Sequence, residues 1–413
     1  MNQNPFASNT FANIWSKHFF KSKKPLDFSF IKHLRFAKHS KLPLYYNIGN
    51  KLTNGNFYTI NKNETDFKNN TFLIRDIPSY HDVQVAKNKV LKTKIIFQYE
   101  GFTSKIANYN SLDDYLKHIY KSNSRSKLRR NINRLETCFD VEYTMYYGEI
   151  SNDTYHSVFN EFYRLFEKRY NDKGEPCGEL EPKLWAYYTE LGLALIREKK
   201  ASLFVIYCDK KPVGITFSYH IDDILIEALT VFDIDFYRFN IGHTMILKML
   251  QWSFENNIKL FDFTQGEFEY KKRWSDSTYK TNYHVLYDSN SIKSIVLANI
   301  LNIYFNSKRK FRELKLNKLY HSFKHKAFGR KKTNKVTQYR FNIEETESHS
   351  IDFNLLVSIN LNNYSCNTLK RALYDYLYKN PELARNIKLF KLNDSVYYAR
   401  GKNSVLKIYQ DAK

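Results

Sequence analysis

Four cysteines in 413 residues, Cys138, Cys177, Cys208 and Cys366, are too few and too scattered for a disulfide framework or a zinc site. They read as reduced, structural thiols. No apolar run reaches the ~18 residues that a membrane-spanning helix needs. The longest, near Ser294 to Phe305, is broken by Asn299 and Asn302. Met1 to Phe20 lacks the apolar core and small-residue cleavage site of a secretory signal, which predicts a cytoplasmic protein. His220 and His243 have no second ligand at metal spacing, so no metal is expected. Gly-x-Ser-x-Gly is absent, as are repeats at solenoid periods. Acidic residues are also scarce, 42 against 65 Lys and Arg, for a net charge of +23.

What is present suits a large folded core: 43% of residues are hydrophobic and 17% aromatic. The length predicts two or three domains at roughly 100–200 residues each. The positive charge favours acidic partners such as nucleic acid, a phosphorylated cofactor or an anionic membrane. It equally fits a chain rich in Lys, Asn, Ile and Tyr throughout, with solvated lysine faces.

Asn4 to Trp15 reads as a turn and a short helix, capped by Ser8 or Asn9. Residues 27 to 99 alternate strand-like runs with Asn, Lys and Gly turns. From Ser111 the period becomes helical, with Leu112, Tyr115, Leu116 and Ile119 in one stripe. A basic helix follows, its apolar side Leu128, Ile132 and Leu135. Helices are expected at 151–170 and 182–199, separated by a loop holding Gly174, Pro176 and Gly178. Ser202–Cys208, Val213–His220 and Ile224–Phe232 form an antiparallel meander joined by polar turns. A helix from about Gly242 to Asn256 and strands at Lys259–Phe263 and Lys280–Tyr287 complete this region. Residues 308 to 335 carry twelve basic residues against one acid, Glu313.

Three strands, a helix and a strand, with Arg238, Asn240, Ile241, Gly242, His243 and Thr244 at the helix start, make an anion-binding arrangement. Free N–H groups and the helix dipole point at a ligand there, and a glycine admits a pyrophosphate closely. Glu227 lies mid-strand in an apolar run. It is either a buried proton acceptor or part of an exposed face shared with Leu225 and Leu229. Asp262 ends a strand before Thr264-Gln265-Gly266. It either orients substrate or Lys271, or caps the turn.

Four stretches carry a family resemblance. They are Asn4-Pro5-Phe6 with Trp15; Ser124-Arg125 through Arg129-Arg130; Lys168-Arg169-Tyr170 with Gly174; and Gly242 through Asp262-Phe263, Gly266 and Tyr270-Lys271-Lys272-Arg273-Trp274. Together they resemble the GNAT superfamily of N-acyltransferases, in its CelD-like, polysaccharide-associated branch, which is related to the Fem peptidyltransferases. At the phosphate loop the family's Arg or Gln and its Gly or Ala are replaced by Phe239 and Thr244.

The resemblance implies an α/β (α+β) fold of two tandem GNAT-like halves, each a mixed sheet flanked by helices. Residues 1–145 would be a degenerate half that shapes the acceptor site, and 146–290 the acyltransferase half. A basic helical segment (291–335) and a small α/β appendage (336–413) follow. The implied reaction is direct attack of an amine on the thioester of acetyl-CoA or another acyl-CoA. Glu227, Asp262 and Lys271 are the catalytic candidates, and residues 238–244 hold the cofactor. Arg125, Arg129, Tyr270, Arg273 and Trp274 are substrate-binding candidates, with packing the alternative for Tyr270 and Trp274 and a solvated helix face for the arginines. The implied acceptor is an amino sugar or lipid-linked saccharide. Residues 295–335 read as a solvated helix, a peripheral contact with the inner face of the membrane, or an RNA-binding segment. Two rivals remain open: a Fem-like transferase using aminoacyl-tRNA, and a non-enzymatic basic binding protein.

Overall fold

The computed structural model describes residues 4–50, 52–81, 83, 90–266, 268–314, 341–346, 351–360, 367–402 and 404–410. Ser8 caps α1 (Asn9–Phe19) by accepting the Phe11 N–H, and Asn4 caps the turn before it. Strands β1 (Leu26–Phe28), β2 (Ile31–Lys38), β3 (Leu44–Asn47), β4 (Thr59–Ile60), β5 (Thr71–Pro78) and β6 (Leu91–Ser104) follow. Ser111 caps α2 (Leu112–Ile119), and α3 (Ser122–Cys138) buries Leu128, Ile132 and Leu135 along one face. Next come β7 (Val141–Tyr146), α4 (Asn152–Lys173), α5 (Pro182–Arg197) and the meander β8 (Ala201–Cys208), β9 (Lys211–Ile221), β10 (Ile224–Phe232). Then α6 (Ile241–Glu255), β11 (Leu260–Gln265), the short α7 (Glu269–Trp274), β12 (Ser277–Asp288) and α8 (Ile292–Glu313) complete the main body.

These strands form one twelve-stranded mixed sheet in the order β1-β2-β3-β5-β12-β6-β11-β10-β9-β8-β7, with β4 pairing β2. The two halves meet where β6 lies between β12 and β11. Strand β12 inserts between β5 and β6, and β7 closes the far edge beside β8. Helices α4 and α5 bury Phe159, Phe162 and Leu195 with β8–β10 on one side, and α1 adds Phe11 and Trp15. On the other side α3 and α6 bury Leu135, Met245 and Met249.

The C-terminal part is a separate five-stranded antiparallel sheet of β13 (Phe341–Thr346), β14 (Val357–Ile359), β15 (Lys388–Lys391), β16 (Val396–Arg400) and β17 (Val405–Gln410), with α9 (Asn367–Lys379). Leu369, Leu373, Tyr374 and Leu377 of α9 join the α3–α6 core. Cys138, Cys177 and Cys208 are free thiols. Cys366 and the basic residues 315–335 lie outside the described residues. Among those described, no helix is long and apolar enough to cross a membrane.

Candidate active site

The centre of the sheet holds a parting of strands. Parallel β10 and β11 pair only over Ile224–Ile226 and Leu260–Asp262. Their ladder ends there because both backbones are distorted. On β10, Glu227 faces Ser218 while Leu229 faces Phe217, so Ala228 is an extra residue and the strand bulges. On β11, Thr264 adopts a left-handed φ of 61°, a strained conformation for a β-branched residue.

Asp262 sits at this fork, fully buried. Its Oδ2 accepts from the Tyr80 hydroxyl at 2.9 Å and the Tyr279 hydroxyl at 2.8 Å, and its Oδ1 from the Thr264 N–H at 2.7 Å. Burial raises its pKa to about 6, against the pull of these three hydrogen bonds and the Lys271 charge. Tyr279 reaches the carboxylate because its partner across the ladder is Gly101, where an added Cβ would stand 2.2 Å from the Tyr279 ring.

Lys271 is also buried, and its ammonium donates to the Phe263 carbonyl, to the Gln265 carbonyl at 2.7 Å and to the Thr264 hydroxyl at 3.3 Å. Its donors are thus committed to the end of β11. Burial lowers its pKa, while the charges of Glu227 and Asp262 oppose that. Glu227 and its neighbours Leu225 and Leu229 are buried, which removes the exposed-face alternative. Thr230 donates to its Oε1 at 2.6 Å, and Oε2 has no partner among the described residues. Desolvation raises the Glu227 pKa. Tyr270, partly buried, stands close enough for Glu227 to raise the phenol pKa further.

A cavity of about 650 Å³ opens between the start of α3, the start of α6 and the end of α7. Lys121, Lys127, Lys272 and Arg273 line it, against one acid, Asp276. That acid is occupied by the Lys105 N–H and the Tyr109 hydroxyl. Helix α6 begins at Asn240, in a left-handed conformation, with no side-chain cap, so its dipole and first N–H groups add to the positive field. His243 faces the same cavity. Its Nδ1 accepts from the Trp274 indole N–H at 2.8 Å, which leaves Nε2 as the protonated nitrogen of the neutral ring. Burial and the nearby cations Arg273 and Lys127 lower its pKa.

A smaller cavity of about 70 Å³ lies at the seam between the halves, lined by Asn54, Gly55, Asp76, Tyr99, Gln265 and Tyr279 among others. Tyr279 therefore spans from this cavity to the buried Asp262.

Of the residues singled out from sequence, Glu227, Asp262 and Lys271 gather at the fork, and Asn240, His243 and Arg273 line the large cavity. Others lie elsewhere. Arg238 turns away to Asp375 of α9, at 3.6 Å. Ile241 and Thr244 are wholly buried on the core side of α6. Gly242 packs under Phe232, where a Cβ would meet the ring at 3.1 Å, so that contact explains the glycine. Arg125 folds back onto the Tyr120 carbonyl at 2.6 Å, and Arg129 is exposed beside Asp113. Trp274 is fully buried with its N–H spent on His243, so it packs and offers no stacking face.

Lys121, Lys127 and Lys272 were not singled out. The recurrence of Lys121, Ser124, Lys127 and Asn131 every three or four residues marks one helix face and could have found the first two. Tyr80 and Tyr279 had no local signal. The Lys168-Arg169-Tyr170 motif braces the link between β10 and α6. The Lys168 ammonium bridges the buried Asp233 and Asp235, each at 2.5 Å, and the Arg169 guanidinium lies over Phe232.

Residues 122–272 match the model of the acetyltransferase (GNAT) domain family. The matched stretch runs from the start of α3 into α7. Similar solved structures include a conserved protein of unknown function from Bacteroides thetaiotaomicron, at 13% identity, covering 69% of this chain and 91% of that one, with a TM-score of 0.42. L-PGS from Bacillus licheniformis is 13% identical, covering 72% and 95%, with a TM-score of 0.40. FemX is 13% identical, covering 62% and 84%, with a TM-score of 0.40. Likeness at this level fixes neither substrate nor partner. None of the curated proteins matches the chain.

Proposed function

We propose that the protein is an N-acyltransferase that moves an acyl group from coenzyme A to an amine by direct attack on the thioester. The observation that carries this reading is the fork between β10 and β11, with a buried carboxylate of pKa about 6 at its base. The large cavity fits the donor's phosphates: four cations and an uncapped helix start face one committed acid. Lys121, Lys127, Lys272 and Arg273 would hold those phosphates, with Asn240 and His243 at the helix start. The acyl end would enter the fork, where the bulge at Ala228 frees backbone groups to polarise the thioester carbonyl.

The acceptor amine would approach from the seam between the halves. The reaction forms a C–N bond, breaks the C–S bond, and releases one proton from the amine. Tyr279 stands at the seam with its hydroxyl on Asp262. It can take the amine proton as it passes its own to the carboxylate. Glu227 is the second candidate acceptor, since its Oε2 is unpartnered. Lys271 fixes the end of β11 and lends its charge to both carboxylates. The acceptor proposed is an amino sugar or envelope-polysaccharide precursor, in keeping with the CelD-like resemblance, acted on in the cytoplasm.

Two measurements test this reading. Acetyl-CoA and longer acyl-CoAs should raise the melting temperature, because a ligand that binds only the folded chain stabilises it. Thiol release from acyl-CoA with amino-sugar acceptors should fall by orders of magnitude in Asp262→Asn. Wild-type turnover in that variant would end the role of Asp262. No stabilisation by any acyl-CoA, with salt-sensitive binding of aminoacyl-tRNA instead, would favour the Fem-like donor.

A further inference from the structure

Helix α8 is apolar on two sides. Its inner side packs Leu297, Ala298 and Phe305 onto Ile96, Tyr283 and Val285 of the sheet. The other side carries Ile292, Val296, Ile300, Ile303, Phe311 and, just past its end, Leu314. These are 50% to 79% exposed. At 100° per residue they fall within an arc of roughly 120°, a stripe along the helix broken at Ser307. Exposed apolar residues scattered singly need no explanation, but a stripe six turns long does.

The charges around it are of one sign. Lys293, Lys308 and Lys310 are exposed on the helix, and its single acid, Glu313, is held by Arg309 at 2.8 Å. The sequence then continues through eight Lys and Arg with no acid between residues 315 and 335.

We infer that the outer stripe of α8 is a docking surface for an anionic lipid bilayer. An apolar face rimmed by lysine is the pattern of a helix lying in a membrane interface, where side chains enter the acyl boundary and cations meet acidic headgroups. A nucleic acid would use the lysines but leave the apolar stripe in water. A second copy would bring two positive rims together with no free acid on the helix to answer them. This surface is independent of the acyl donor and of the residues at the fork.

Flotation of the full-length protein with lipid vesicles tests it. Binding is expected to vesicles containing phosphatidylglycerol, at least about tenfold stronger than to pure phosphatidylcholine, and weaker as salt rises from roughly 0.1 to 0.5 M. Ile300→Asp with Ile303→Asp should lose about tenfold or more of that binding while the melting temperature stays unchanged, because both side chains face outward. Should that variant fold poorly, Lys308→Glu with Lys310→Glu tests the cationic rim, with the same loss expected. Absence of binding to phosphatidylglycerol vesicles would overturn the inference. So would binding that neither folded variant reduces, or a wild-type dimer in light scattering that Ile300→Asp/Ile303→Asp converts to monomer without any vesicle binding.

Discussion

At Asp262, burial and hydrogen bonding oppose each other on one carboxyl, and burial wins. A carboxylate of pKa about 6 is still mostly ionised at neutral pH, so it can accept a proton. We predict that kcat/KM with a fixed amine falls on the acid side of about pH 6, and that Asp262→Asn removes this limb along with most of the activity. The same shift bears on stability. The folded pKa lies above the ordinary value of 3.8, so the fold holds this proton more tightly than the unfolded chain does. That stabilising contribution is complete below about pH 4 and is lost as pH rises through about 6. Melting curves of Asp262→Asn should therefore decline less than wild type between these values. Gly101 makes a second prediction. Gly101→Ala pushes the Tyr279 ring off the strand and should cut kcat at least about tenfold through loss of hydrogen-bonded proton transfer, with a smaller change in donor KM. Unchanged kcat would remove Tyr279 from the relay. That Asp262 and Lys271 lie close together was legible in the sequence, because one short turn joins β11 to α7. Tyr80 and Tyr279 were not, because only the pairing of β12 with β5 and β6, and of β6 with β11, brings them to the carboxylate.

Helices and the meander were legible as elements because their apolar spacing is local. The face of α3 that matters was harder to read. Arg125 and Arg129 drew attention by charge, yet the helix turns Lys121 and Lys127 to the cavity and leaves Arg129 exposed. The start of α6 was legible as a helix N-terminus, but Gly242 serves packing against Phe232. We predict that Lys121→Ala with Lys127→Ala raises the KM for acyl-CoA about tenfold, from weakened charge-assisted phosphate contacts, with kcat within about twofold of wild type. Steady-state kinetics at varied donor concentration checks this, and an unchanged KM would detach the cavity from donor binding.

For the molecule as a whole, the family resemblance implied a mixed sheet flanked by helices, but not the order of its strands. Strand order depends on long-range pairing that no local period encodes, so the insertion of β12 between β5 and β6 was invisible. The contact between appendage and active half was equally hidden. Tyr374 of α9 packs on Phe139 and Phe236, with ring centroids 5.0 and 4.8 Å apart, and covers the link between β10 and α6. Nearby, Lys168 bridges the buried Asp233 and Asp235. Tyr374→Ala should cost about 3 kcal/mol of stability by denaturant unfolding and raise donor KM, since that link loses its cover. Full stability in this variant would make the appendage an independent unit.

The central claim is that the cationic cavity and the fork together take coenzyme A. Calorimetric titration of the full chain with acetyl-CoA, beside Lys127→Ala with Arg273→Ala, tests it most directly. Saturable one-to-one binding that the double variant weakens at least about tenfold is the predicted result, each lost cation removing a charge-assisted phosphate contact. No binding by the wild type, or equal binding by the variant, would contradict it.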